Sequence, residues 1–241
     1  MSLPLPEPPA ERLKLAYGYP YAIPDQGYLL QDGRVAELRD ACFEGRLPVL
    51  AHGSNRAPEQ LGRKFPKGQI PVTKGWLKDH IVVYAACLTR YGACPSLLWS
   101  FPGAEVQVSI NWLTPEQLGI MHRTEGNYAF GRLEADFRPE EGPEPEILHV
   151  YHGHPGALLL DGNVTALSAA TARGSGLPLA RDQREVLSKL QALAGIGATL
   201  SDFVLQMIEY PQQRAAFVRK LKNYARPANL PGFQLCESAP A

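Results

Sequence analysis

The chain has 241 residues, a size that fits one large domain or two small ones. Hydrophobic residues make up 45% and charged residues 20%, an ordinary balance that supports a buried core. The 24 Lys and Arg offset 24 Asp and Glu, and a formal charge of zero argues against a general nucleic-acid binder or a protein held on acidic membranes, since both need a basic face.

Residues 1–33 hold Pro4, Pro6, Pro8, Pro9, Pro20 and Pro24. Prolines at that density forbid a long helix, so an extended arm is expected. A short helix is expected over 34–44, where Val35, Leu38 and Cys42 recur at helical spacing and Gly45 stops the run. A strand-rich block follows, from 47 to about 172. Its first strand is 47–51, then a short helix over 58–64 with Pro58 in the first turn. Strands are expected at 69–77, 80–86, 96–101 and 105–113. The last alternates Val106, Val108, Ile110 and Trp112, the signature of a half-buried strand. Thr114-Pro115-Glu116-Gln117 reads as a helix start with a capping box, and that helix should stop near Thr124. Strands resume at 128–137, 147–151, 157–160 and 164–171, the last two joined by an Asp161-Gly162-Asn163 turn. Helices are expected at 181–193, 199–209 and 211–224. The basic residues Arg214, Arg219, Lys220, Lys222 and Arg226 read as a solvated helix face. The expected organisation is an arm with a short helix over 1–45, a β-rich domain over 46–175 and a helical extension over 176–241.

Four cysteines, Cys42, Cys87, Cys94 and Cys236, are scattered with no Cys-x-x-Cys pair. Neither a zinc knuckle nor a dithiol redox site is expected, and free thiols in a reducing cytoplasm are the simplest reading. The first residues lack the basic start and apolar core of a signal peptide. No apolar run approaches membrane-spanning length.

Two short stretches carry chemistry. The first strand runs into His52-Gly53-Ser54-Asn55, a turn expected to leave backbone N–H groups pointing into a cleft. Seventy positions after Asn55 a helix ends in Thr124-Glu125-Gly126-Asn127-Tyr128, placing a lone carboxylate on a glycine-bounded corner. Donors for a developing oxyanion and a single base suit acyl chemistry on a small charged substrate. Each piece has a plainer reading: Glu125 as a surface residue at a helix end, and Gly53-Ser54-Asn55 as a simple turn. Ser54 lacks the second glycine of a nucleophile elbow. His149, His152 and His154 form the one metal-like pattern, with His-x-His able to share a strand face.

The order of strand, Gly-Ser-Asn turn, helix, several strands, Leu-Thr-Pro-Glu-Gln-Leu helix, Glu-Gly and tyrosine-bearing strand resembles the gamma-glutamyl cyclotransferase-like family. The resemblance covers roughly residues 47–137, with weaker support to about 172. It implies an α+β fold: a small, mostly antiparallel β-barrel with surrounding helices, here followed by the helical C-terminal extension. It implies cyclisation of a γ-glutamyl group to 5-oxoproline with release of an amine or peptide, and no cofactor and no metal. Glu125 would be the general acid/base, for which a partly desolvated carboxylate is suited. His52, Gly53, Ser54, Asn55 and Tyr128 would bind the substrate. The implied partner is a small-molecule γ-glutamyl substrate, with no nucleic acid and no membrane. Two positions depart from the family pattern. His52 replaces the aromatic residue before Gly-Ser-Asn, and His122 stands where the family often has Asp. A non-catalytic small-molecule-binding protein on the same fold is the second reading. A metal-dependent enzyme using His149, His152 and His154 is the third.

Overall fold

The computed structural model describes residues 4–126, 128–227 and 229–236. The proline-rich start is not fully extended: helix α1 spans Pro9–Tyr17. Pro9 sits in its first turn, where a missing N–H is harmless, and no proline recurs until Pro20, so nine residues of helix fit between the breakers. The helix expected over 34–44 is also absent. Strand β1 (Tyr28–Gln31) turns directly into β2 (Arg34–Ala36). Asp32 and Gly33 between them have φ of 48° and 74°. Two successive left-handed residues make the turn whose twist matches antiparallel strands, and Asp-Gly is a preferred pair for it. That local turn chemistry outweighs three apolar residues at helical spacing, and Val35 is left 55% exposed. Only the 3₁₀ turn Leu38–Asp40 remains of the helix.

Strand β3 (Leu47–Ala51) leads to helix α2 (Pro58–Lys64), as expected. The next four expected strands merge into two, β4 (Gln69–Tyr84) and β5 (Ser96–Leu113), paired antiparallel along almost their whole length. The anticipated breaks are bends within continuous strands. A bulge separates Lys78 from His80, and Asp79 there has φ of 58°. Gly103 on β5 has φ of 82° and donates its amide to Asp79 Oδ1 at 2.7 Å, tying the two irregularities together. A bulge sharpens the twist of a ladder without ending it. Val106, Val108, Ile110 and Trp112 are all buried, as their alternation predicts. Ser109, Asn111 and Leu113 on the opposite face are buried too, because β5 is covered on both sides there.

Helix α3 (Pro115–Thr124) opens with a complete capping box between Thr114 and Gln117. It is followed by β6 (Tyr128–Leu133), β7 (Phe137–Pro139), β8 (Leu148–Gly153) and β9 (Ala157–Leu160). In place of the strand expected over 164–171, two-residue pieces occur at Asn163–Val164 and Ala166–Leu167. The main sheet has the order Ala180–Arg181, Ala166–Leu167, β4, β5, β3, β8, β6 and Phe233–Leu235. The class is α+β with a mainly antiparallel sheet, β3 and β8 being a parallel pair. The order is an open path: no pairing among the described residues joins its two ends into the ring that a barrel needs. The strand Phe233–Leu235, which pairs with β6, carries no sequence signal strong enough to predict it.

The topology itself locates the site. β3 lies between β5 and β8, and β8 lies between β3 and β6. The turn after β3 and the corner that leads from α3 into β6 thus belong to neighbouring parts of one sheet.

Helices α4 (Gln183–Ala194), α5 (Leu200–Glu209) and α6 (Pro211–Leu221) form close to their expected positions. Thr199 and Asp202 make the capping box of α5, and Gly195 ends α4 with φ of 68°. Their apolar stripes carry Val186, Leu187, Leu190, Phe203, Val204, Met207 and Phe217. These share one buried cluster with Val108, Ile110, Leu148 and Val150 of the sheet and Ala16 of α1. Among the described residues no helix is long and apolar enough to cross a membrane.

Because sheet and helices fill one core, unfolding in urea should show a single transition by both far-ultraviolet and tryptophan signals. Phe203→Ala, at a wholly buried position, should lower its free energy by about 3–5 kcal/mol. A separate earlier transition for residues 176–241 would contradict the shared core.

Candidate functional site

Six residues singled out from the sequence come together on one cavity of about 290 Å³. They are His52, Gly53, Ser54, Asn55, Glu125 and Tyr128. The volume is at the small end of the range for ligand pockets. Asn127 lies outside the described residues.

Glu125 is the C-cap of α3. Its Oε1 accepts from Asn55 Nδ2 at 3.0 Å and from Lys64 Nζ at 2.6 Å. The pair is well shielded, with side-chain exposures of 3% for Lys64 and 13% for Glu125. No described residue donates to Oε2, so Oε1 is the anchored oxygen. A carboxylate at a helix C-terminus faces the negative end of the macrodipole, an arrangement unfavourable by about 0.3–1 kcal/mol. The Lys64 ammonium offsets that. Helix stability does not explain an acid at this position.

The turn after β3 is a 3₁₀ segment, Ser54–Arg56. Its interior bonds run from Arg56 N to the Gly53 carbonyl and from Ala57 N to the Ser54 carbonyl. The leading amides of such a turn have no partner within it. Gly53 has φ of −123°, so it is not required for left-handed backbone. It is required for space, since a Cβ there would collide with the Tyr19 hydroxyl and Ser96 Oγ. Asn55 is held from behind by Asn111 Nδ2, which donates to its carbonyl at 3.0 Å. Its own Oδ1 is buried without a partner among the described residues.

Ser96, at the start of β5, organises the floor of the cavity. Its amide donates to the Tyr19 hydroxyl oxygen at 2.8 Å, and the two hydroxyls lie 2.8 Å apart. The Tyr128 hydroxyl donates to its carbonyl at 2.9 Å. Its Oγ is 3.1 Å from His52 Nδ1, while His52 Nε2 is 3.5 Å from the Tyr151 carbonyl. Burial pushes His52 down to about 4, so the ring is neutral at physiological pH. A neutral ring wedged between Ser96 and Tyr151 has a supporting place in the wall.

Burial also pushes the hydroxyls of Tyr19, Tyr91, Tyr128 and Tyr151 upward, so all four stay protonated. Tyr91 stands beside Ser54. Glu125 is the only carboxylate among the described lining residues, against four cations, Arg63, Lys64, Arg90 and Arg123.

His122 does not line the cavity. Its Nδ1 is 2.8 Å from the Tyr151 hydroxyl, and its ring meets Phe130 edge-on at 4.8 Å. The metal reading of His149, His152 and His154 finds no ligand set. His149 and His152 are three positions apart on β8 and emerge on opposite faces. One stacks on Phe130 at 5.4 Å, and the other packs on Phe233 at 5.0 Å. Among the described residues no group of three His, Cys, Asp or Glu could hold a metal ion.

Sequence reading missed Lys64, Tyr19, Ser96 and Tyr91. Lys64 reads only as the basic last residue of a short helix, and the inward face of α2 carries Gln60 beside it, so no apolar stripe marks the direction. Tyr19 belongs to the proline-rich start, which has no periodicity to place it.

No family model matches the chain, and no curated protein does. A solved structure titled "Gamma-glutamyl cyclotransferase" is similar at 15% identity and a TM-score of 0.39, over 80% of this chain and 95% of that one. A similarity of that size carries no weight for function.

The folded pKa of His52 lies below the ordinary histidine value. The stability it contributes is therefore complete above about pH 6.5 and is lost as pH falls through about 4. Urea unfolding from about pH 7 to about pH 3.5 should show a loss of stability roughly 3 kcal/mol smaller in His52→Gln than in the parent. His80, His122, His149 and His152 shift in the same direction and contribute to both proteins alike. Equal losses would contradict a buried neutral His52.

Proposed function

We propose that this protein is an enzyme that cyclises a γ-glutamyl compound to 5-oxoproline and releases an amine or peptide. One observation supports the reading above the others: the Glu125 carboxylate and the turn after β3 meet in one cavity, joined through Asn55 at 3.0 Å. The substrate's own free α-amino group is the nucleophile, so no serine or cysteine nucleophile is needed. Its nitrogen attacks the γ-carbonyl carbon, and a new carbon–nitrogen bond forms as the carbonyl becomes an oxyanion. Glu125 takes the proton from that nitrogen, through Oε2 while Oε1 stays anchored. The oxyanion then collapses, the original amide bond breaks, and Glu125 returns the proton to the departing nitrogen. Atoms balance without water or cofactor. The amides at the head of the Ser54–Arg56 turn are the donors for the oxyanion. The protonated Tyr91 hydroxyl stands beside the Ser54 side chain. Attack within one molecule needs only a folded substrate, so proximity supplies much of the rate.

The cavity's charge fits this substrate, which brings an α-carboxylate into a wall with four cations and one acid. A protein that binds such a compound without turning it over is the second reading. It is favoured by the ion pair that Glu125 already makes with Lys64.

Incubation with a panel of γ-glutamyl amines and peptides separates the two. The parent should form 5-oxoproline from at least one of them. Glu125→Gln should form it about 10²–10⁴-fold more slowly, with a lowered thermal midpoint because Lys64 loses its counter-ion. Equal rates in parent and variant would remove Glu125 from the chemistry, and binding without product would leave the second reading.

A further inference from the structure

Lys64 is the cavity's least explained charge. It ends α2 with a side chain only 3% exposed. An ammonium has three donors. One goes to Glu125 Oε1 at 2.6 Å and one to Met121 Sδ at 3.3 Å. A thioether sulfur is a weak acceptor, so this buried cation holds one strong partner, and no described residue takes its third donor. Burying a charge with so few partners is unfavourable unless something completes its coordination.

We propose that Lys64 is the residue that recognises the substrate's α-carboxylate, and with it the γ-glutamyl end of the ligand. The proposal rests on the cyclisation reading and deepens it. Its argument is stereochemical. In a γ-glutamyl compound the attacking amino group and the α-carboxylate share one carbon. When the amino nitrogen sits at Glu125 Oε2, its carboxylate must lie next to whatever flanks that carboxyl group. The flanking cation is Lys64, bound to the other oxygen of the same carboxyl. Lys64 therefore joins the base and the ligand, taking the α-carboxylate with the donor that has no other strong acceptor. Arg63 and Arg123 stand on the same wall and add attraction, but neither touches Glu125. A role confined to steering Glu125 would leave Lys64 indifferent to whether the ligand has an α-carboxylate. A recognition role would not.

That difference is the test. Two substrates share a leaving amine: a γ-glutamyl amide, and the matching 4-aminobutanoyl amide, which lacks only the α-carboxylate and closes to 2-pyrrolidinone. The parent should favour the first in kcat/KM by about 100-fold or more, the scale of losing one partner of a buried charged pair. Lys64→Met should reduce that preference to a few-fold, chiefly by raising KM for the γ-glutamyl substrate. Lys64→Arg, which keeps the cation, should retain most of it, and provides a second variant if the methionine form does not fold. If Lys64→Met slows both substrates by the same factor, the proposal is overturned while cyclisation stands. If the parent cyclises neither compound, both readings fall together.

Discussion

The arrangement depends on a three-way junction at one carboxylate oxygen. Glu125 Oε1 receives Asn55 from the turn after β3 and Lys64 from the end of α2, while Glu125 itself caps α3. Three separate segments are thereby locked to one atom. Removing one member of such a shielded ion pair leaves a buried charge unmatched, at a cost of about 3–5 kcal/mol. The junction sits where the sheet order puts β3, β8 and β6 side by side. It also faces the unfavourable end of the α3 dipole. An interaction placed against local helix energetics is more naturally part of a binding site than of the scaffold.

Beneath the junction is a second polar layer centred on Ser96. Its amide, carbonyl and hydroxyl engage Tyr19, Tyr128 and, within 3.1 Å, His52. The hydroxyls are neutral by nature and His52 by burial, so the layer supplies hydrogen bonds without adding charge. Charge is concentrated instead on the wall, where Glu125 meets Lys64 and three arginines also line the cavity. The separation is useful for chemistry. The neutral floor holds the turn in place, and Gly53 gives it the clearance that a side chain would remove.

Much of this was legible in the amino acids, and the failures have physical causes. The Thr114–Gln117 and Thr199–Asp202 boxes located α3 and α5 because capping is local chemistry. The alternation of Val106 to Trp112 located a strand for the same reason. Asp32-Gly33 has a turn preference as local as any cap, but in the sequence it competes with Val35, Leu38 and Cys42 at helical spacing. The bends at Asp79 and Gly103 read as strand ends because a bulge and a strand end share the same residue types. At the site, Glu125 and the Gly53-Ser54-Asn55 turn could be paired because each has its own signature. Lys64 and Tyr19 could not, since their roles come from long-range packing. Lys64 meets Glu125 across 61 positions and Tyr19 meets Ser96 across 77. Nothing in a short helix or a proline-rich segment encodes such partners. His122, notable in sequence as a departure, lies behind the cavity against Tyr151 and Phe130.

The central claim is that Glu125 and the turn after β3 act on one ligand in one cavity. A crystal structure of the protein soaked with 5-oxoproline tests it most directly. The account predicts the lactam carbonyl oxygen at the Ser54 and Asn55 amides, the ring nitrogen at Glu125 Oε2 and the carboxylate at Lys64. Ligand bound elsewhere, or a Glu125 carboxyl turned to solvent and away from Asn55, would contradict it.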